Sequence, residues 1–173
     1  MTGRHLILVG LPGVGKSTVG ALVAAELGRP FVDLDAVVVR RMGMPVERIF
    51  GEFGESRFRE LEREAMAEQL HAGPSVLAPG GGWAAQPGNF EGARAEALFI
   101  WLTAAPEAAH RRAEQGVVRP LLAGDDGPER MAALLAERSS FYARADVTVR
   151  NDRDDPAVAA AEIVAWVRRG GFA

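Results

Sequence analysis

The run GLPGVGKS at residues 10–17 constrains this chain more than any other feature. It matches the pattern G-x-x-x-x-G-K-S, in which glycines let successive backbone N–H groups face one anion and the following helix points its positive end at the same place. Lys16 is the only lysine, against nineteen arginines. A compact ammonium on a flexible stem can follow phosphate groups inside such a loop, whereas a planar guanidinium is too wide for it. The run therefore predicts a binding site for nucleotide phosphates.

The segments on either side of this loop agree with that interpretation. Residues 5–9 form a short apolar run typical of a buried strand, and residues 16–27 have a helical pattern that ends at Gly28. A glycine-rich turn that matched the pattern by chance would not be expected to follow a strand and to precede a helix, as this one does. We expect the loop to bind ATP or GTP, with the Ser17 hydroxyl on Mg²⁺. The expected nucleotide contacts in the loop are Gly13, Val14, Gly15, Lys16, Ser17 and Thr18.

Length and composition limit the other possibilities. With 173 residues the chain is predicted to be one domain, so an acceptor site must be built from insertions in the nucleotide fold. A net charge of −3 gives no reason to expect nucleic acid or a membrane as partner. The absence of cysteine excludes disulfides, and the three histidines lack ligand spacing. The N-terminal apolar run has no cleavage pattern, so we expect a core strand rather than a signal peptide, and a cytoplasmic location.

Strand-like and helix-like segments alternate along the chain, which is typical of a parallel sheet with crossover helices on both faces. We expect an α/β protein with five strands and three layers. Two segments, 44–54 and 115–127, fit neither element and are candidates for the acceptor site and for a lid that excludes water. The predicted strands are residues 5–9, 31–34, 75–78, 97–102 and 146–150. The predicted helices are residues 16–27, a stretch within 35–42, 55–70, 106–114, 128–142 and 156–169.

Two carboxylates follow the second predicted strand, in the sequence Asp33-Leu34-Asp35. Side chains two apart on an extended segment point the same way, so both acids are predicted to lie at the carboxyl end of a strand beside the phosphate loop. We assign Asp33 to the water shell of the metal and Asp35 to the acceptor hydroxyl, which it orients and deprotonates. The alternative for Asp35 is an N-cap of the next helix.

Further short motifs follow in a fixed order. G-E-x-x-F-R-x-x-E occupies residues 54–62, a triple glycine 80–82, R-P-L-L 119–122 and E-R-x-x-x-Y 137–142. With the phosphate loop and D-x-D, their order and approximate spacing closely resemble those of the shikimate kinase family over residues 10–156. The resemblance implies a P-loop kinase fold like that of nucleoside-monophosphate kinases, and an ATP- and Mg²⁺-dependent transfer to the 3-hydroxyl of shikimate in aromatic amino-acid biosynthesis. It also implies a substrate-binding segment near 33–62, and we expect a monomer.

The resemblance also implies roles for individual residues. Lys16 and Arg119, the latter from the lid, would neutralise the transferring phosphoryl group, and Asp35 would aim the acceptor hydroxyl. Arg112 and Pro156 match positions that enclose the adenine in the family. The residues that match the family's acceptor site are Asp35, Phe50, Phe58, Arg59, Glu62, Gly80, Gly81, Gly82 and Arg138. Among these, the arginines would take the shikimate carboxylate, Glu62 would steady Arg59, the glycines would hold hydroxyls and the phenylalanines would wall the ring.

Simpler interpretations exist for several of these residues. In an arginine-rich chain, Arg59 and Arg138 could be helix-surface residues paired with neighbouring glutamates. Phe50 and Phe58 could be core residues. Trp83 stands where the family usually has a small residue, and residues 87–90 and 139–142 also depart from its pattern. Because the indole could reshape the acceptor pocket, a kinase for a sugar acid or a nucleoside monophosphate stays open, as does a nucleotide-binding module without turnover.

Overall fold

The computed structural model describes residues 3–114, 127–152 and 155–170. Within these residues, five parallel strands form one sheet in the order β2-β3-β1-β4-β5. The predicted α/β architecture, a parallel sheet flanked by helices, is confirmed. The strands are β1 His5–Val9, β2 Phe31–Asp33, β3 Val76–Ala78, β4 Ala97–Thr103 and β5 Val147–Arg150.

Helices connect the strands as the parallel topology requires. α1 packs against α7, α2 against α3, and α5 against α6. A short 3-10 turn at Trp83–Ala85 and a short helix after it were not predicted from the sequence. No helix in the described ranges is long and apolar enough to span a bilayer. The helices are α1 Lys16–Leu27, α2 Leu34–Met42, α3 Val46–Leu70, α4 Asn89–Ala93, α5 Pro106–Glu114, α6 Gly127–Tyr142 and α7 Pro156–Arg169.

The two central strands form the middle of the core. β1 is buried along its whole length and pairs with β4 in register from His5–Ala97 to Val9–Trp101. Such continuous burial is expected of a parallel strand covered by helices on both faces. Because all five strands run in one direction, the segments that follow β1, β2 and β3 meet at one edge of the sheet. This edge is where an open α/β sheet binds its ligands.

The prediction that residues 44–54 form no element is wrong. α3 begins at Val46 and continues to Leu70, with a kink at Gly54, whose φ of 81° and ψ of 166° are not helical. Two glycines lower the helix propensity of this stretch. However, Val46, Ile49 and Phe50 have the spacing of one helix face, and Ile49 is fully buried. Packing of this apolar face outweighs the weak local propensity.

The predicted geometry of Asp33 and Asp35 is also wrong in detail. The extended segment ends at Asp33, and α2 begins at Leu34, so Asp35 lies in the first turn of a helix. Asp33, rather than Asp35, is the N-cap, and its Oδ1 accepts a hydrogen bond of 3.3 Å from the backbone N–H of Ala36. An aspartate at this position satisfies a backbone donor that would otherwise lack a partner, and this stabilises the helix start.

Candidate active site

A cleft of about 590 Å³ opens at the carboxyl edge of the sheet, between the phosphate loop, α2, α3, the glycine turn at 80–82 and α6. Val14, Glu62 and Pro156 do not line it. Arg119 lies outside the described residues, as do all residues of the predicted lid at 115–127 except Gly127. The structure therefore brings together most of the predicted site residues. Those that line the cleft are Gly13, Gly15, Lys16, Ser17, Thr18, Asp33, Asp35, Phe50, Phe58, Arg59, Gly80, Gly81, Gly82, Arg112 and Arg138.

The phosphate loop is folded around its lysine. Lys16 Nζ donates hydrogen bonds to the carbonyl oxygens of Gly10, at 2.8 Å, and Leu11, at 2.9 Å. Gly13 has a φ of 78°, and a Cβ there would lie 1.9 Å from the carbonyl oxygen of Ala109. Glycine is therefore required at this position both by the left-handed backbone and by the close approach of α5. The loop is preformed, with an ammonium held at its centre.

Ser17 and Asp33 form the polar floor beside this loop. The Ser17 hydroxyl donates a hydrogen bond of 2.6 Å to Asp33 Oδ2, while Asp33 Oδ1 caps α2. The two oxygen-bearing side chains thus come from different elements, the start of α1 and the end of β2. A hydroxyl and a carboxylate at this separation are a donor set suited to a hard divalent cation.

Glycine residues at 80–82 allow the backbone to approach three functional side chains. A Cβ at Gly80 would lie 2.7 Å from Glu62 Oε1 and 3.0 Å from Asp35 Oδ1. A Cβ at Gly82 would lie 2.4 Å from Arg59 Nη2. Any larger residue at either position would displace a charged group from the wall of the cleft. The triple glycine is therefore a close-packing requirement of the site as well as a turn.

Arg59 is held by two glutamates and is only 8% exposed. Its Nη1 donates to Glu62 Oε2 at 2.8 Å, and its Nη2 donates to Glu55 Oε1 at 3.0 Å. The interpretation of Arg59 as a surface residue is thus wrong about exposure, although both neighbouring glutamates are its partners. The guanidinium also lies 5.4 Å from the centroid of the Phe58 ring, and Phe58 packs against Phe50 with ring centroids 4.8 Å apart.

Glu62 is completely buried behind the arginine. Besides pairing with Arg59, it accepts a hydrogen bond of 2.7 Å from the backbone N–H of Gly80. Burial, opposed by the charge of Arg59 and reinforced by the nearby Asp35, raises the pKa of Glu62 to about 7. Glu62 does not reach the cleft itself. It connects α3 to the glycine turn and fixes the arginine that does reach it.

On the opposite wall, Arg138 of α6 is 8% exposed and lines the cleft. Its neighbour Tyr142, to which no role was assigned from the sequence, donates a hydrogen bond of 2.5 Å to the carbonyl oxygen of Gly81. The available sequence signal was its place at the end of E-R-x-x-x-Y, as the only tyrosine in the chain. The fully buried Tyr142 thus connects α6 to the glycine turn.

A second residue that the sequence analysis missed is Asn151, directly after β5. Its Nδ2 donates to the carbonyl oxygen of Val14 at 2.9 Å, and its own carbonyl oxygen accepts from Arg112 Nη1 at 2.8 Å. Asn151 therefore links the phosphate loop to the arginine predicted to contact adenine. The Val14 side chain is buried beneath the loop, and Pro156 begins α7 away from the lining of the cleft.

Comparison with known proteins decides the family. The family model described as shikimate kinase matches residues 12–168. The chain belongs to the shikimate kinase family. The shikimate kinase of Moorella thermoacetica is 42% identical to it over 159 residues, 92% of this chain and 91% of that protein. The shikimate kinase of Geobacter sulfurreducens is 40% identical over 166 residues, 96% of this chain and 92% of that protein.

Solved structures agree with this family assignment. A shikimate kinase from Acinetobacter baumannii in complex with shikimate has a TM-score of 0.93 at 29% identity, covering 99% of this chain and 97% of that one. A gluconokinase from Sinorhizobium meliloti has a TM-score of 0.61 at 20% identity, which shows a shared fold alone. The recognition of a shikimate kinase with a P-loop kinase fold is confirmed.

Trp83, the main departure from the shikimate kinase pattern, does not enter the cleft. It is 1% exposed, lies behind the glycine turn and stacks on Phe99 with ring centroids 6.5 Å apart. Asn89, from the second segment that departs from the pattern, donates a hydrogen bond of 2.9 Å to the carbonyl oxygen of Trp83. Trp83 and Asn89 thus contact each other in the interior of the protein. Neither Trp83 nor Asn89 lines the cleft.

Proposed function

We infer that this protein transfers the γ-phosphoryl group of ATP to the 3-hydroxyl of shikimate, giving shikimate 3-phosphate and ADP in aromatic amino-acid biosynthesis. One observation carries the inference. Two nearly buried arginines, Arg59 and Arg138, line the same cleft as Asp35 and the phosphate loop. A small hydroxylated acid needs a cationic site for its carboxylate and an acceptor for the proton of its reacting hydroxyl. The family match supports the same activity.

On the nucleotide side, we propose that the loop residues 13–18 hold the phosphates and that Arg112 lies against adenine, with Pro156 on the other side. Backbone N–H groups and the start of α1 suit a polyphosphate. Lys16, now bonded to loop carbonyls, would exchange those partners for phosphate oxygens. Arg119 stays a prediction for the transferring phosphate, because the described residues do not include it.

We propose that Ser17 holds Mg²⁺ directly and that Asp33 acts through a bound water. The hydrogen bond between Ser17 Oγ and Asp33 Oδ2 supports this proposal, because it brings the two oxygens next to each other at the floor of the cleft. The described ranges contain no cluster of three or more histidine or acidic side chains placed to hold a metal. This fits Mg²⁺, which in phosphate sites takes one or two protein ligands and fills the rest with water and phosphate oxygens. When bound, Mg²⁺ neutralises charge on the phosphates.

On the acceptor side, we propose that Arg59 and Arg138 bind the carboxylate of shikimate and that Phe50 and Phe58 wall its ring. The glycine turn at 80–82 offers backbone groups to the hydroxyls. In the transfer, Asp35 takes the proton of the 3-hydroxyl of shikimate while that hydroxyl oxygen bonds to the γ-phosphorus of ATP. The bond between the γ-phosphorus and the oxygen that bridges it to the β-phosphate breaks, and ADP is released. Catalysis is then largely positioning and charge neutralisation.

The decisive test is a coupled ADP-release assay with ATP, Mg²⁺ and one acceptor at a time. We expect turnover with shikimate and none above background with gluconate or nucleoside monophosphates. Turnover with another acceptor alone would reassign the cleft, and tight ATP binding without any turnover would indicate a nucleotide-binding module.

We further propose that the enzyme is monomeric and cytoplasmic, without nucleic-acid or membrane partners. Light scattering measures the oligomeric state, and cell fractionation measures the location.

A further inference from the structure

Tyr142 links two parts of the cleft that lie on different elements. Its hydroxyl donates to the carbonyl oxygen of Gly81, in the turn after β3, and its charged neighbour is Arg138, one turn earlier on α6. The distance from the hydroxyl to the Gly81 oxygen is 2.5 Å, and the Tyr142 side chain is fully buried. A single hydroxyl is therefore bonded to the proposed hydroxyl site and lies beside the arginine of the proposed carboxylate site.

Packing alone does not explain this hydroxyl. The ring contacts Trp101, with centroids 5.8 Å apart, and a phenylalanine would fill the same space. Burying a hydroxyl is unfavourable unless it is hydrogen-bonded, so the group contributes through its bond to Gly81 and its interaction with Arg138. Burial, opposed by Arg138, raises the pKa of Tyr142 to about 12. The hydroxyl therefore keeps its proton at neutral pH and remains a donor to Gly81.

The Gly81 backbone has little freedom on its other sides. A Cβ at this residue would lie 2.6 Å from Pro12 of the phosphate loop, so the turn packs directly on that loop. The preceding N–H, that of Gly80, is bonded to the buried Glu62 at 2.7 Å. Glu62 thus holds the turn from α3, and Tyr142 holds it from α6. The hydrogen bond from Tyr142 to Gly81 therefore connects α6 to the glycine turn, and through that turn to the phosphate loop.

The partner of Arg138 differs in charge from those of Arg59. Arg59 is paired with two glutamates, whereas Arg138 has no carboxylate within ion-pair distance among the described residues. Its buried Nε also has no hydrogen-bond partner in those ranges. A neutral hydroxyl orients a guanidinium without cancelling its charge. Arg138 therefore faces the cleft as the less neutralised of the two cations and is suited to an incoming carboxylate.

We propose that Tyr142 is a positioning residue that sets Arg138 and the Gly81 carbonyl at the separation required by one small hydroxylated acid. The inference rests on the proposed function for the identity of that acid, shikimate. It assigns Tyr142 no contact with the substrate and no part in the chemical step. The hydroxyl acts by keeping Arg138, which binds the carboxylate, at a fixed distance from the glycine turn, which binds the hydroxyls.

The test is the variant Tyr142→Phe, which removes the hydroxyl and keeps the ring. We expect its KM for shikimate to rise about tenfold, the value of one buried hydrogen bond, with its KM for ATP within about twofold of the parent. Ser75→Ala is the matched control, because it removes a hydrogen bond of 2.8 Å to Gly73 away from the cleft. We expect it to change neither constant.

Two further measurements separate positioning from general stability and from the proposed function. In Arg138→Ala, adding Tyr142→Phe should change the KM for shikimate far less than in the parent, because the hydroxyl has lost the cation it orients. Hydrogen exchange of the peptide covering 79–83 should be faster in Tyr142→Phe and unchanged in Ser75→Ala.

The outcomes are distinct. Unchanged constants and exchange in Tyr142→Phe would overturn the inference, and so would equal losses for shikimate and ATP together with lower stability. If the parent does not phosphorylate shikimate, the proposed function fails. In that case the positioning role stands when exchange at the turn still rises in Tyr142→Phe alone, and it is overturned when exchange does not rise.

Discussion

Ser17 Oγ lies 2.6 Å from Asp33 Oδ2, so the first turn of α1 and the end of β2 share one hydrogen bond at the floor of the cleft. The bond shows how the fold assembles this site, because the two residues are sixteen positions apart and come from different elements. β1 and β2 are not neighbours in the sheet, since β3 lies between them. The proposed metal position thus depends on the sheet order as well as on both motifs.

Asp33→Asn tests the metal assignment. Asparagine caps a helix about as well as aspartate, so α2 should keep its start and stability should change little. We expect the Mg²⁺ concentration for half-maximal turnover to rise about 10- to 100-fold, the usual cost of losing a partner in the outer shell of a metal. Asp155→Asn, at the N-cap of α7, is the matched control. An equal change in both variants would show a general effect of losing a capping carboxylate.

Asp35→Asn tests the proposed general base. The variant keeps the size of the side chain and removes the group that takes the proton, so we expect turnover to fall by about 10²- to 10⁴-fold. The KM for ATP should change by less than about threefold, because Asp35 lies on the acceptor side of the cleft. Steady-state kinetics at saturating Mg²⁺ measure both constants. Unchanged turnover would remove Asp35 from the mechanism.

Glu62 predicts a specific dependence of stability on pH. Its pKa is about 7 in the folded protein against an ordinary value of 4.5, so the folded state binds this proton more tightly than the unfolded state. The contribution of Glu62 to stability is therefore fully present below pH 4.5 and is lost as the pH rises through about 7. Over that window we expect the parent to lose about 3 kcal/mol relative to Glu62→Gln, which cannot ionise.

Urea unfolding of the parent and of Glu62→Gln at several pH values between 4.5 and 8 measures this difference. Glu60→Gln is a suitable control, because Glu60 is exposed on the same helix. Parallel curves for the parent and Glu62→Gln would mean that Arg59 and the Gly80 N–H keep Glu62 ionised throughout the range.

Trp83→Phe tests whether the departure from the family pattern affects the core or the cleft. The indole is buried behind the glycine turn and stacks on Phe99, so a smaller ring leaves unfilled space. We expect the free energy of unfolding to fall by about 1–2 kcal/mol, with the KM for shikimate within about twofold of the parent. Chemical denaturation and the ADP-release assay give the two values. A large change in KM at unchanged stability would place Trp83 among the residues that shape the acceptor site.

The local motifs and the parallel α/β class could be predicted from the sequence, because both depend on short-range chemistry. The glycines and the lysine of residues 10–17 specify a phosphate loop wherever it occurs, and continuous apolar runs such as β1 specify buried parallel strands. Local pattern was misleading where two rules competed. Residues 44–54 fitted neither element in the sequence, but the apolar face that includes Ile49 packs as a helix despite the glycines at 51 and 54.

Only the tertiary structure decided which residues meet across the cleft. Tyr142 and Gly81 are sixty-one positions apart, and Asn151 and Val14 are separated by 137, so no local pattern could have paired them. The burial of Arg59 and the raised pKa of Glu62 likewise come from packing α3 against the glycine turn. The sequence by itself determined the phosphate loop and the kind of fold, because these follow from neighbouring residues. The shape and charge of the acceptor site follow from long-range contacts, which the order of strands in the sheet sets.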